Sequence, residues 1–174
     1  MSNNMSRRNF LRLSALGTSA IMLPAAANAI ESPLFAPAKS KKGSANDKIN
    51  IGFIGLGQQA IHLMNGFITI PEVRIVAGCD IYDIKRDRFE QRVNKYYADH
   101  KIKNKFTLYI HYEELLARPD IDAVVIATPD HQHAIMAIAA CRAKKDIYFE
   151  KPLTFTIYEG QQLVKAVREN NIIL

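Results

Sequence analysis

The chain has 174 residues, 48% of them hydrophobic and 23% charged, with a formal net charge of +6. That composition fits one folded domain and excludes global disorder. The charge does not mark a nucleic-acid binder. Arg7, Arg8 and Arg12 lie in a leader with no acidic residue, and from Ile49 onward 16 Lys and Arg stand against 15 Asp and Glu. The folded part is therefore nearly neutral, and no basic face is needed to explain the total. No apolar run reaches the ~20 residues of a stable membrane span. Cys79 and Cys141 have no metal-type or redox-type spacing and read as small buried residues.

Residues 1–29 read as a twin-arginine signal peptide. Ser6-Arg7-Arg8-Asn9-Phe10-Leu11 is followed by a mildly apolar stretch and by Ala27-Asn28-Ala29, a cleavage-type triplet. The reading implies recognition by the twin-arginine export machinery and a periplasmic or extracytoplasmic destination. Residues 30–48, with Pro33, Pro37, Gly43 and several lysines, read as a flexible linker.

From Ile49 to the end, strand and helix patterns alternate. Ile49–Ile54 is a short apolar run ending in glycines, a buried strand. Ala60–Ile68 is a helix with Ile61, Met64 and Ile68 on one side. Val73–Cys79 is the second strand. Arg86–Tyr97 is a polar, exposed helix with Asp83 as its N-cap. Phe106–Ile110 is a weak third strand, and Glu113–Arg118 a short helix stopped by Pro119. Ile121–Ala127 is apolar on both faces, as a central parallel strand requires. Ala134–Ala143 is a helix with Ile135 and Ile138 facing inward, and Ile147–Phe149 is a fifth strand. A capping box of Thr156 and Glu159 opens a helix from Ile157 to about Asn170, with Leu163, Val164 and Val167 buried. Ile172-Ile173-Leu174 resembles the start of a sixth strand. The alternation predicts an α/β fold: a doubly wound, mostly parallel Rossmann sheet with helices on both faces, over residues 49–174. Ligands of such sheets bind at the carboxyl ends of the strands.

Gly55-Leu56-Gly57-Gln58-Gln59-Ala60 fits G-x-G-x-x-G/A between a strand and a helix. Gly55 suits a tight turn. Gly57 lets a pyrophosphate lie against the backbone, and Ala60 lets the helix sit close to the sheet. The helix N-terminus offers free N–H groups to phosphate. Gly55, Gly57, Gln58 and Gln59 are thus the expected cofactor contacts on this loop. Asp80 ends the second strand, 20 residues beyond Ala60, where an acid would bind a ribose diol. A carboxylate there repels a 2′-phosphate and favours NAD over NADP, although Lys85 and Arg86 stand close enough to blur the preference. Tyr82 is either an adenine platform or plain surface.

Two further motifs lie just past strand ends: Ala127-Thr128-Pro129-Asp130-His131-Gln132-His133 and Glu150-Lys151-Pro152-Leu153. With Gly55-Leu56-Gly57 and Cys79-Asp80, in this order and spacing, they resemble the Gfo/Idh/MocA family of oxidoreductases over roughly Ile49 to Leu174. The resemblance implies that Thr128, Pro129 and Asp130 run beneath an NAD or NADP cofactor, and that His133 is the histidine opening the next helix. It implies that Glu150 lies by the nicotinamide and that Lys151 is the catalytic lysine, in a bond to Pro152 that is often cis. Gln132 departs from an aromatic residue frequent in sugar-active members, and Ala143-Lys144-Lys145-Asp146 from a commoner A-G-K-H-like turn. A metal site at Asp130, His131 and His133 is disfavoured, because i, i+2 spacing at a helix start does not bring two imidazoles to one face.

The resemblance further implies a second α+β domain, which this sequence does not contain; as a fragment the chain is expected to turn over little substrate. It implies a sugar or cyclitol substrate, and a homo-oligomer for the full-length protein. Export of a folded protein into a compartment poor in free dinucleotide implies a tightly held, recycling cofactor. Three functions follow: hydride transfer with a sugar or cyclitol hydroxyl; NAD-dependent glycoside hydrolysis through transient oxidation; or dinucleotide binding without catalysis.

Overall fold

The computed structural model describes residues 48–174. The segments read from the sequence as a signal peptide, residues 1–29, and as a linker, residues 30–48, lie outside them apart from Lys48. Five strands form one parallel sheet in the order β3-β2-β1-β4-β5: β1 Ile49–Ile54, β2 Val73–Cys79, β3 Thr107–Tyr109, β4 Ala123–Ile126 and β5 Asp146–Phe149. The helices are α1 Gln58–Phe67, α2 Asp83–Asp99, α3 Tyr112–Leu116, α4 Asp130–Arg142 and α5 Ile157–Asn170. The chain winds outward from β1 through β2 to β3, then returns to β4 on the other side of β1. The strand order reverses there, so the loops after β1 and β4 diverge and leave a crevice between them.

Alternation along each strand divides the core into two layers. Ile51 and Phe53 of β1, Ile75 of β2 and Val125 of β4 meet Ile61, Met64 and Ile68 after and within α1, and Phe89, Val93 and Tyr97 of α2. Ile54, Val124, Ile126 and Ile147 face Leu115 and Leu116 of α3, Ala137, Ala140 and Cys141 of α4, and Leu163 and Ala166 of α5. Helices thus cover both faces of the sheet, as the sequence predicts. Among the described residues no helix is long and apolar enough to cross a membrane.

Several local expectations are corrected. Helix α2 starts at Asp83, not Arg86, and its N-cap is Tyr82, with no side-chain cap. The Tyr82 carbonyl accepts the N–H groups of Lys85 and Arg86, and the Asp83 carboxylate pairs with Arg86 instead. Nor is α2 wholly exposed: Phe89, Val93 and Tyr97, four residues apart, are buried on the sheet. Their stripe is one residue per turn in a strongly charged helix, too narrow to stand out by pattern. Helix α4 starts four residues early, at Asp130, with Pro129 as N-cap. Its inward stripe is therefore His133, Ala134, Ala137, Ala140 and Cys141, and Ile135 is 57% exposed. Ile138 does pack on the core. In α5, Ala166 takes the buried place expected of Val164. The Thr156–Glu159 capping box forms, with Thr156 Oγ1 accepting from the Glu159 N–H and Glu159 Oε2 from the Thr156 N–H.

Ile172–Leu174 is not a strand. The Ile173 carbonyl accepts the Ile147 N–H along the outer side of β5, but its own N–H goes to the Asp146 side chain. One backbone bond is less than a ladder. On β2 the register with β1 skips Val76. This bulge frees backbone groups that side chains recover: Tyr97 hydroxyl accepts the Ile75 N–H, Asn104 donates to Ile75 O and Arg118 to Val76 O.

The turn Ala143-Lys144-Lys145 at the other end of the sheet has Lys144 where the commoner A-G-K turn has glycine. Lys144 is left-handed, with φ 59°, where a glycine would be unstrained. Lys145 is buried and donates to the carbonyls of Arg118 and Ile121, closing the loop into β4. Burial holds its ammonium below the usual lysine range. Neighbouring lysines are thus expected to respond with opposite signs. Lys144→Gly should raise stability by up to ~1 kcal/mol, the left-handed penalty less the added chain entropy. Lys145→Ala should lower it by about 1–3 kcal/mol by stripping two buried acceptors. Urea unfolding of the whole chain measures both.

Candidate cofactor site

The loops at the carboxyl ends of β1, β2, β4 and β5 meet at the crevice. Gly55 turns the chain from β1 with φ +84°. A Cβ there would lie 2.6 Å from the Ala127 carbonyl oxygen and 2.8 Å from Thr128 Cγ2, so both conformation and space demand glycine. Gly57 is different. Its φ of −71° suits any residue, and a Cβ would meet no protein atom within 4 Å. The space above it is open. Gly57 also caps α1 without a side-chain hydrogen bond, and the first intrahelical bond runs from the Ile61 N–H to the Gly57 carbonyl. The amides of Gln58, Gln59 and Ala60 therefore point out of the helix end, where its dipole is positive.

Asp80 is buried beneath this loop. Its Oδ2 accepts the Leu56 N–H at 2.9 Å and its Oδ1 the Tyr82 N–H at 3.0 Å. The carboxylate thus clamps the glycine loop to the β2 turn, keeping one lone pair on each oxygen for another donor. Lys85 Nζ stands 3.8 Å from Oδ2 and 4.4 Å from the centre of the Tyr82 ring. Arg86 donates to the Asp80 carbonyl, and Arg88 to the Leu56 carbonyl at 3.4 Å. Next door, Cys79 is pushed up to about 12 by burial, with the Asp80 charge adding to it. It stays a thiol and is no nucleophile.

At the other end of the crevice a cleft of about 160 Å³ is lined by Gln59, Ala127, Thr128, His133, Glu150 and Lys151. Gln59 reaches across from α1 and donates to Glu150 Oε1 at 3.0 Å. His133 lies on the cleft floor, bonded to the carbonyls of Thr128 and Pro152. It is the fourth residue of α4, not its opening residue. Lys151 is exposed, carries no ion pair among the described residues, and its bond to Pro152 is cis. Thr128 Oγ1 is, among the described residues, the one buried side-chain oxygen without a hydrogen-bond partner. An orphan of this kind costs about 1–3 kcal/mol unless a ligand satisfies it.

Of the residues expected from sequence, Gln59, Thr128, His133, Glu150 and Lys151 share the cleft, while Gly55, Gly57 and Asp80 build the adjoining loop. Gln58, Pro129 and Asp130 are exposed and do not line the cleft. The Gln59–Glu150 and Leu56–Asp80 bonds were not foreseen, since their partners are 91 and 24 residues apart. Among the described residues no three acidic, His or Cys side chains gather as a metal site.

A left-handed glycine turn, an uncapped helix N-terminus and a strand-order reversal define the class: a dinucleotide-binding Rossmann domain. The model of the Gfo/Idh/MocA group, described as an oxidoreductase family with an NAD-binding Rossmann fold, matches residues 49–174, and the chain belongs to that family. Among curated relatives, a glycosyl hydrolase family 109 protein of Shewanella sp. (strain ANA-3) is 33% identical over 169 residues, covering 93% of this chain and 37% of that protein. An alpha-N-acetylgalactosaminidase of Shewanella oneidensis is 32% identical over 174 residues, with the same coverage. The chain thus spans 37% of the length of these relatives. A solved 3-ketoreductase from Actinomadura kijaniata, in complex with NADP and TDP-benzene, superposes with a TM-score of 0.64 at 26% identity, covering 74% of this chain and 36% of that one. A myo-inositol 2-dehydrogenase from Lactobacillus plantarum shares the fold, with a TM-score of 0.62 at 22% identity, covering 71% of this chain and 34% of that one.

The two loop glycines are expected to separate folding from binding. Gly55→Ala should destabilise the chain by roughly 1–3 kcal/mol, from strain and a clash with backbone. Gly57→Val should leave the unfolding midpoint nearly unchanged and lower affinity for NAD at least tenfold. Denaturation and titration calorimetry on the same samples read both.

Proposed function

We propose that the chain carries the cofactor half of an NAD(P)-dependent oxidoreductase that moves hydride to or from a sugar or cyclitol hydroxyl. One observation carries the reading: an open cradle over Gly57 continues into a cleft whose Thr128 hydroxyl lacks a partner. The residues present fit such a group. The Gly55–Gln59 backbone and the end of α1 would hold the diphosphate. Asp80 would hold the ribose diol through its remaining lone pairs, which would favour NAD over NADP. Thr128, with Pro129 and Asp130, would support the nicotinamide-side ribose, and Glu150 would stand by the nicotinamide.

The bound dinucleotide supplies hydride acceptance and donation. Lys151 is the catalytic residue. Its ammonium, exposed at the cleft mouth, would donate a hydrogen bond to the substrate oxygen and stabilise the alkoxide-like charge which that oxygen carries once a carbonyl has taken up hydride, or once a hydroxyl has lost its proton ahead of hydride departure. Gln59 holds Glu150 by its amide, which orients the carboxylate beside the cleft. A second reading is favoured by the names of the curated relatives: net hydrolysis of a glycoside with the cofactor unchanged at the end of the cycle. The reading also takes in export through residues 1–29, a tightly held cofactor, and self-association of the full-length protein.

Titration of NAD and NADP into the 174-residue chain tests the cofactor claim. Binding of both, with NAD about tenfold tighter, is expected from the Asp80 carboxylate; no heat with either removes the enzymatic reading. Where turnover with a sugar or cyclitol is measured, Lys151→Met is expected to lower kcat by about 10²–10³. NADH build-up marks net oxidation, whereas free sugar without NADH marks the second reading.

A further inference from the structure

His133 is almost fully buried, at 1% exposure, and its ring is committed at both ends. Nδ1 lies 2.6 Å from the Pro152 carbonyl oxygen, and Nε2 lies 2.7 Å from the Thr128 carbonyl oxygen. A carbonyl oxygen only accepts. Both contacts are hydrogen bonds only when both ring nitrogens carry protons. A neutral imidazole has one N–H and would press its other lone pair against an oxygen at hydrogen-bond distance. Turning the ring over would point C–H groups at both carbonyls and strand both nitrogens in a buried site.

The two carbonyls belong to the two segments that carry the proposed chemistry. Thr128 follows β4, and Pro152 follows Glu150 and Lys151 after β5. No other bond between these two segments is formed by a side chain among the described residues. The Phe149 ring, 5.0 Å from that of His133, covers the imidazole from β5. Charged groups on the surrounding elements are Asp130 and His131 on α4, Glu150 and Lys151 on the β5 turn, and Glu159 in the first turn of α5, whose Oε2 is held by the Phe155 and Thr156 amides. Burial of the ring and the N-terminus of α4 both oppose a cation here, and the two charge-assisted hydrogen bonds are what offsets them.

We propose that His133 is a positioning residue, a doubly protonated ring that ties the loop after β4 to the turn after β5 and so sets Thr128 and Lys151 around the nicotinamide. The proposal rests on the reading of the cleft as the nicotinamide end of the dinucleotide site. Both ring nitrogens of His133 are spent on backbone carbonyls.

Two measurements on the full chain test it. Long-range nitrogen–proton spectra of the histidine rings at neutral pH, where a free imidazole is mostly neutral, read the proton count directly. The His133 signal is identified by its loss in His133→Asn. Two protonated nitrogens are expected, and one unprotonated nitrogen overturns the proposal. Titration of NADH and of ADP-ribose, which lacks nicotinamide, into the wild type and His133→Phe reads the positioning. Affinity for NADH should fall about tenfold while that for ADP-ribose stays within about twofold. Equal loss of both, or loss of neither, overturns it. A wild-type chain that binds neither ligand defeats the dinucleotide reading instead, and the ring spectrum still decides the state of His133.

Discussion

The structure depends on how closely the turn after β1 approaches the end of β4. At Gly55 there is no room for a single methyl group between the chain and the Ala127 carbonyl, 2.6 Å from where a Cβ would sit. That contact bends the chain sharply out of the sheet and aims the N-terminus of α1 across the crevice. Everything around the proposed cofactor path is set from there. Gly57 faces open space because Gly55 has already turned the backbone, and Gln59 reaches Glu150 because α1 begins where it does.

Asp80 shows how one side chain serves fold and site together. Its two oxygens hold two backbone amides from different loops, which fixes the shape of the glycine turn. The cost of burying a carboxylate is offset by those bonds and by Lys85 nearby. Burial keeps Cys79 protonated, and the Asp80 charge adds to that effect. At the far end of the sheet Lys145 performs a comparable task with the opposite charge, closing a loop through two carbonyls. The polar groups of this domain are placed to close loops, while its two apolar layers hold the sheet between the helices.

Elements with a strong local signal were legible in the sequence. The strand patterns at Ile49–Ile54 and Val73–Cys79, the stripe Ile61, Met64 and Ile68, and the Thr156–Glu159 box all appear in place. Elements whose burial is decided by a neighbour were not. The stripe of α2 is diluted by charges on its other faces. The start of α4 hides in Asp130-His131-Gln132-His133, polar residues that turn helical because Pro129 sets the first turn and His133 finds carbonyls on two loops. The site was legible as a set of motifs, but not as the contacts that join them.

The sequence by itself determined the order of strands and helices, the glycine turn, the uncapped helix behind it and the motifs that close the chain's fourth and fifth strands. These are written locally, in periodicity, in residues with unusual backbone freedom and in short spacings. Only the tertiary structure decided which side chains meet. Asp80 with Leu56, Gln59 with Glu150, and His133 with both Thr128 and Pro152 are contacts across loops that parallel pairing brings to one edge. Such meetings depend on strand register and helix placement summed over the whole domain, and no local pattern records them.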